Sequence, residues 1–337
     1  MYCSLEELEH DLGQDEGVKD VTRALERIRS ASDWIDKRLG HFIPVSATRR
    51  YDGNGKISLP IHSLLSSTPT VTDDGDTLES TDFLLYPRNK LWENGPYSRI
   101  AIDPDATGIT VWTPELDCVT VNGTWGLYDE SIDVGTDLND ASFTSTKTAL
   151  AVDDGSCLSP GMVILLDSEQ MLVEDYGALT DSIANTAEAV DASEVEIDVN
   201  DGTQVNVGEI IKINFEQMKV LDISTNTLLV SRGYHNTSKT THNTSVDVYV
   251  YRTFTVKRGI NGTTAAAHDN DKDISRYIAP YDVNYLCRQM AVLMEKKAQT
   301  GFAGKTANVE LGEVFYHQEF PKEVIDRIKR VYRIPRL

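Results

Sequence analysis

Gly161-Met-Val-Ile-Leu-Leu-Asp-Ser-Glu-Gln-Met-Leu-Val173 returns 47 positions later as Gly208-Glu-Ile-Ile-Lys-Ile-Asn-Phe-Glu-Gln-Met-Lys-Val220. A second phrase recurs at a different offset. Leu229-Val-Ser-Arg-Gly-Tyr-His-Asn-Thr matches Thr255-Val-Lys-Arg-Gly-Ile-Asn-Gly-Thr 26 positions on, and His242 matches His268. Unequal offsets exclude a simple tandem repeat. In one copy Met218 and Arg232 are 14 residues apart; in the other Met171 and Arg258 are 87 apart. The economical reading is one β module inserted into a loop of another, with the insert spanning roughly Ala178 to Tyr251.

Within the copies, Glu196-Ile-Asp-Val and Ile211-Lys-Ile-Asn-Phe alternate as half-buried strands do. The glycines after Arg232 and Arg258 supply positive-φ turns. Each arginine is read as a surface residue that either braces its turn or contacts a neighbour. A histidine held at one place in two modules, His242 and His268, is expected to be a structural hydrogen-bond former. It has no companion ligands at metal-binding spacing.

Outward from the repeats the pattern changes. Ser4 and Glu7 form a capping-box pair ahead of Leu5, Leu8 and Leu12, with Gly13 as the stop. Val18, Val21, Leu25, Ile28, Ala31, Ile35 and Leu39 form a second helical stripe ending at Gly40. From Ile43 the chain turns to short β-prone runs, among them Phe83–Tyr86, Ile109–Trp112 and Val119–Trp125, broken by Asp, Asn, Gly and Pro. Helix returns after Asp282, with Val283, Leu286, Met290, Leu293 and Met294 on one face. A last helix opens at Pro321 and carries Val324, Ile325 and Ile328.

These elements predict an α+β chain: a helical domain formed by the N- and C-terminal helices, with inserted antiparallel β domains, one β module nested in another. Residues 1–42 supply the N-terminal helices and 43–147 a small β domain. Residues 148–177 and 252–276 form the outer β module, 178–251 the nested one, and 277–337 the C-terminal helices and tail.

The charge is lopsided: 32 Lys and Arg against 53 Asp and Glu, a formal net of −21 over 337 residues. Such a surface repels nucleic-acid phosphates, so sequence-specific DNA binding is not expected. Cys3, Cys118, Cys157 and Cys287 show no metal or redox spacing and read as reduced thiols. Neither a signal peptide nor an apolar run of ~20 residues is present, so assembly in a cytoplasm is expected. The sequons at Asn122, Asn236, Asn243 and Asn261 then read as turn chemistry.

Gly301-Phe-Ala-Gly304-Lys305-Thr306 lacks the first glycine of a phosphate loop and follows a helix instead of a strand, so it reads as a flexible loop. Asp269-Asn-Asp271-Lys-Asp273 has Ile274 and Pro280 where a calcium loop needs Gly and Glu, so it reads as a solvated acidic turn. No nucleophile elbow is visible. The expectation is a non-enzyme with no metal or cofactor. Residues 321–337 carry six basic and two acidic side chains, which suits docking on an acidic partner.

Ala31-Ser-Asp-Trp-Ile-Asp-Lys-Arg-Leu-Gly-His-Phe42, Tyr51-Asp-Gly-Asn-Gly55 and Val119-Thr-Val-Asn-Gly-Thr-Trp-Gly-Leu127 resemble head-to-tail connector (adaptor, head completion) proteins of long-tailed bacteriophages. The ending Phe320-Pro-Lys-Glu-Val-Ile325 is similar too, and Arg258-Gly-Ile-Asn-Gly-Thr-Thr-Ala-Ala-Ala-His268 is similar to β modules of such virion proteins. The resemblance implies a structural virion protein at the neck. It would form a ring, usually of twelve subunits, beneath the portal protein, extend the DNA channel, and offer a platform to stopper or tail-completion proteins. DNA would pass through the lumen without sequence-specific contacts. Carried onto this chain, the portal or subunit interface falls on Arg327, Lys329, Arg330, Arg333 and Arg336. The nested module exceeds the compact members of the family and is expected outside the ring. The alternative is a carbohydrate- or receptor-binding protein of baseplate or fibre type, which exposed aromatic clusters would support; only Trp92, Trp112 and Trp125 fall in the β part, none of them inside the nested modules.

Overall fold

The computed structural model describes residues 1–13, 16–89, 95–299, 305–308, 313–316 and 321–332. Trp92, the loop 301–304, Arg333 and Arg336 lie outside the described residues.

The chain opens with α1 (Leu5–Leu12) and α2 (Val21–Leu39). Ser4 and Glu7 close a reciprocal capping box on α1, and Gly13 ends it in the left-handed conformation at φ 63°. Asp20 caps α2 by accepting from the Arg23 N–H. The first two free N–H groups of α1 find partners in a later loop: Leu5 donates to Pro160 O at 2.8 Å and Glu6 to Ser159 Oγ at 3.2 Å.

The first sheet holds β1 (Val45–Tyr51), β2 (Ser58–Leu64), β3 (Thr70–Asp73), β4 (Asp76–Thr77), β5 (Phe83–Tyr86), β6 (Tyr97–Ile102) and β7 (Val119–Trp125). Its order is β4-β3-β7-β2-β6-β5, with β1 also pairing along all of β7. Ile109–Trp112, expected as a strand, is irregular. Burial of the indole decides its course: Trp112 is 0% exposed, with its Nε1–H bonded to Ile57 O.

The second sheet begins with β8 (Ser131–Asp137), β9 (Ala149–Ala151), β10 (Val163–Leu166) and β11 (Glu169–Tyr176). The chain then leaves it to form a third sheet from β12 (Ala184–Asn185), β13 (Glu196–Asp198), β14 (Ile210–Ile213), β15 (Glu216–Ser224), β16 (Thr227–Ser231) and β17 (Asp247–Val250). It returns with β18 (Thr253–Lys257) and β19 (Asp273–Tyr277). The orders are β8-β19-β10-β11-β18-β9 and β12-β17-β14-β15-β16-β13. Matching bridges, Leu138↔Val152 and Thr186↔Val199, draw the two edges of each sheet together. α3 (Tyr281–Gln299), the hairpin β20 (Lys305–Asn308) and β21 (Glu313–Tyr316), and α4 (Lys322–Val331) complete the chain.

The expected helical domain with inserted β modules is overturned. The molecule is mostly β: three curled antiparallel sheets, two of them half-barrels, with helix in only 21% of the described residues. The physical reason lies in the cores. Each sheet encloses an apolar cluster of its own. The helices do not; their shared cluster, built on residues such as Leu8, Ile28, Ile35, Leu286 and Met290, is completed by Val163 and Leu172 of the second sheet. The helices share that cluster with the second sheet, so they pack against the β structure instead of closing a domain of their own.

Candidate functional site

The two repeated phrases meet in space as two copies of one polar brace. In the third sheet, Glu216 opens β15 beside the hairpin turn Asn214-Phe215, and Arg232 follows β16. Arg232 Nε donates to Glu216 Oε1 at 2.6 Å and Nη2 to Oε2 at 2.8 Å. The remaining guanidinium N–H groups reach three carbonyls: Asp191 O, Glu194 O and Thr240 O at 2.7–2.9 Å. All five arginine donors are therefore satisfied. The carboxylate also accepts from Gly233 N, Thr240 N and His242 Nε2.

The second sheet repeats this atom for atom. Arg258 bonds both oxygens of Glu169 at 2.7 Å and reaches Thr144 O, Lys147 O and Ala266 O. Glu169 accepts from Gly259 N, Ala266 N and His268 Nε2. Burial acts to raise the Glu169 pKa, but Arg258, the two backbone N–H groups and His268 outweigh it and hold the carboxyl at about 2. The Glu216 carboxyl is lowered by the same balance. Both arginines were expected at the surface; Arg232 is buried at 2% exposed, and Arg258 is half-buried with its side chain 6% exposed.

Each brace holds a left-handed turn, and each turn docks on a neighbour. After Arg258, the turn through Asn261 (φ 53°) and Gly262 (φ 77°) lies on the start of β1. Ser46 N donates to Asn261 O at 2.8 Å, and Gln170 bridges Asn261 to Pro44 O. After Arg232, the turn through Gly233, His235 and Asn236 docks on α1 instead. There the buried Glu9 accepts from Tyr234 Oη at 2.8 Å, His235 Nε2 at 3.0 Å and Val18 N at 3.0 Å. His235 N donates to Glu16 O, and Lys219 and Lys239 pair with Glu6 and Glu16. Burial acts to raise the Glu9 pKa; the His235 bond leads the contacts that leave it lowered.

A further ion pair joins the two modules. Arg252 binds both oxygens of Glu209, and Glu209 accepts from Gly155 N across the junction. The nested module is thus fastened at both ends.

The residues singled out from sequence fall elsewhere. Arg327, Lys329 and Arg330 share α4. Arg327 makes a two-point pair with Asp282 at 3.0 Å, and Arg330 donates to Asp326 O at 3.3 Å. Asp282, after which the helix was expected to begin, sits inside the first turn of α3. Trp112 and Trp125 are fully buried, so they present no sugar-binding platform. Among the described residues no group of three His, Cys, Asp or Glu side chains has metal-holding geometry. Sequence reading passed over Glu169, Glu216 and Glu9. The first two stood in plain sight as the Glu-Gln-Met shared by both copies; Glu9 carried no signal, since its side-chain partners Tyr234 and His235 lie more than 220 residues away.

Two clefts flank the amino-terminal segment. The larger, of about 480 Å3, lies between α2 and the second sheet and contains Asp36, which accepts from Tyr2 Oη and faces His41 Nδ1 at 3.2 Å. The smaller, of about 290 Å3, reaches Cys3, Glu7, Gly161 and Asn284.

Chemically, the braces hold shape. Their carboxylates are saturated by arginine and backbone donors, so they are poor candidates for a base or a nucleophile. No protein-family model, no curated protein and no solved structure matches the chain.

Proposed function

We propose that the chain is a structural virion protein that forms the head-to-tail adaptor ring beneath the portal and extends the DNA channel toward the stopper or tail. The observation that carries this reading is the face built where both ends of the described chain pack together. There α4 presents Arg327, Lys329 and Arg330 beside the exposed Tyr281 (91%), Tyr285 (43%) and Val331 (48%), on a protein whose net charge is −21. A basic, aromatic-rimmed patch on an acidic molecule suits a head-to-tail contact between unlike faces of identical subunits, which is how closed rings are made. The buried braces fit the same role, because a ring under genome pressure needs rigid modules more than an open site. An acidic lumen would let DNA slide past with few counterion-releasing contacts. The nested module, docked on α1, adds bulk beside the helices.

Cryo-electron microscopy of the purified protein, alone and mixed with its portal, tests this. A closed ring with a channel of ~20 Å or more, wide enough for a DNA duplex, is the expected result. A protein that stays monomeric in both samples would sink the proposal. The double variant Lys329→Glu, Arg330→Glu, which leaves the Arg327–Asp282 pair in place, should weaken assembly and leave the monomer's circular dichroism unchanged.

A further inference from the structure

Cys3 and Cys287 are 284 positions apart, yet their sulfurs lie 3.4 Å from one another. Cys3 precedes the cap of α1 and Cys287 sits in the second turn of α3. The backbone around them is held. Asn284 Nδ2 donates to Tyr2 O and to Glu7 Oε2, each at 2.9 Å, and Tyr2 N donates to Ser32 Oγ at 3.1 Å. Ser32 Oγ in turn lies 3.5 Å from Cys287 Sγ. Cys287 is fully enclosed, whereas Cys3 is 4% exposed and borders the cleft of about 290 Å3. One thiol of the pair can therefore meet a small reagent while the other waits behind it.

We infer that Cys3 and Cys287 form an oxidative modification site: a dithiol in a reducing compartment that a small aliphatic disulfide converts to an intramolecular disulfide, stapling the amino-terminal segment to α3. The sulfurs need to approach by about 1.4 Å to reach bonding distance, which side-chain rotation can supply. Cys3 attacks one sulfur of the reagent, forming a mixed disulfide and releasing one thiolate. Its proton is released into the cleft that Cys3 borders and is taken up by that leaving thiolate. Cys287 next attacks the Cys3 sulfur and expels the second thiolate. The second thiolate takes up the Cys287 proton, so the protein loses two protons and two electrons and the reagent gains them as two thiols. Burial pushes the Cys287 thiol up, but the hydrogen bonds from Cys3 and Ser32 outweigh it and leave it lowered, whereas the bond to Cys287 and burial push the Cys3 thiol up; access from the cleft, not acidity, makes Cys3 the thiol that meets the reagent. The inference does not depend on the ring reading; it concerns one subunit.

The test uses the folded full chain and bis(2-hydroxyethyl) disulfide, followed by differential alkylation and peptide mass spectrometry. The expected result is a Cys3–Cys287 linked peptide two hydrogens lighter than the dithiol, reversed by dithiothreitol, with a higher melting temperature than the reduced protein. Cys3→Ser and Cys287→Ser should each abolish the link, and Cys118→Ser with Cys157→Ser should leave it. Free thiols at both positions after oxidation, reaction that stops at a mixed disulfide on Cys3, or a link that forms only in denaturant would each overturn the inference.

Discussion

Glu169 and Glu216 show how much one residue can organise. Each carboxylate gathers an arginine, a histidine and two backbone N–H groups, so removing its charge releases the whole set. A buried pair of this kind adds little over a well-packed apolar substitute, but breaking it from one side is costly. Its pH dependence has a definite sign. The Glu169 carboxyl sits at about 2 when folded, below its ordinary 4.5. Its stabilising contribution is therefore complete above pH 4.5 and drains away as pH falls toward 2. Glu216 and Glu9 are lowered as well and add to the same acid-side loss. Melting temperature measured from pH 7 to pH 2 should fall most steeply below about pH 4.5. In Glu169→Gln it should start lower and fall less over that range. A variant as stable as the parent at neutral pH would mean the brace contributes nothing.

At the scale of elements, the same turn serves two hosts. Braced behind an Arg-Gly pair, it meets β1 in one module and α1 in the other. Its sequence differs just where the hosts differ: Ile260-Asn261-Gly262 offers a carbonyl and a bare Cα to a strand, whereas Tyr234-His235-Asn236 offers a phenol and an imidazole to a helix carboxylate. Gly262 illustrates the constraint. Its φ is +77°, and a Cβ there would lie 2.0 Å from Ser46 O. Gly262→Ala should cost more than about 1 kcal/mol in urea denaturation, and should loosen β1 as seen by faster amide exchange at Ser46. Unchanged exchange at Ser46 would show that the turn does not secure the strand. Much at this scale was legible beforehand. The α1 capping box and the glycine stop after α2 are local hydrogen-bond patterns written in adjacent residues. Ile109–Trp112 was misread because its alternation mimics a strand, while burial of one indole sets its path.

Across the whole molecule, the third sheet is a closed excursion from the second. β11 pairs with β18 as far as Tyr176↔Phe254, and Gly177 N bonds Thr253 O, so the two ends of the excursion already touch. A chain with residues 178–251 replaced by a two-residue turn should fold and melt cooperatively. It should be less stable than the parent, because buried Glu9 loses Tyr234 and His235; Glu9→Met in the shortened chain should recover part of the loss. Thermal melts by circular dichroism decide this, and an aggregated or non-cooperative product would show that the second sheet depends on the third.

The sequence by itself determined the duplication, the capping box of α1, the glycine ends of α1 and α2, and the acidic balance, because each is carried by neighbours along the chain or by plain counting. Only the tertiary structure decided that the β sheets dominate and the helices merely pack against them. It alone placed Glu9 against His235, Cys3 against Cys287 and Arg327 against Asp282. Those contacts join residues tens to hundreds of positions apart, and which of them form is set by how the closed sheets dispose of their apolar faces, a global condition that no local period encodes.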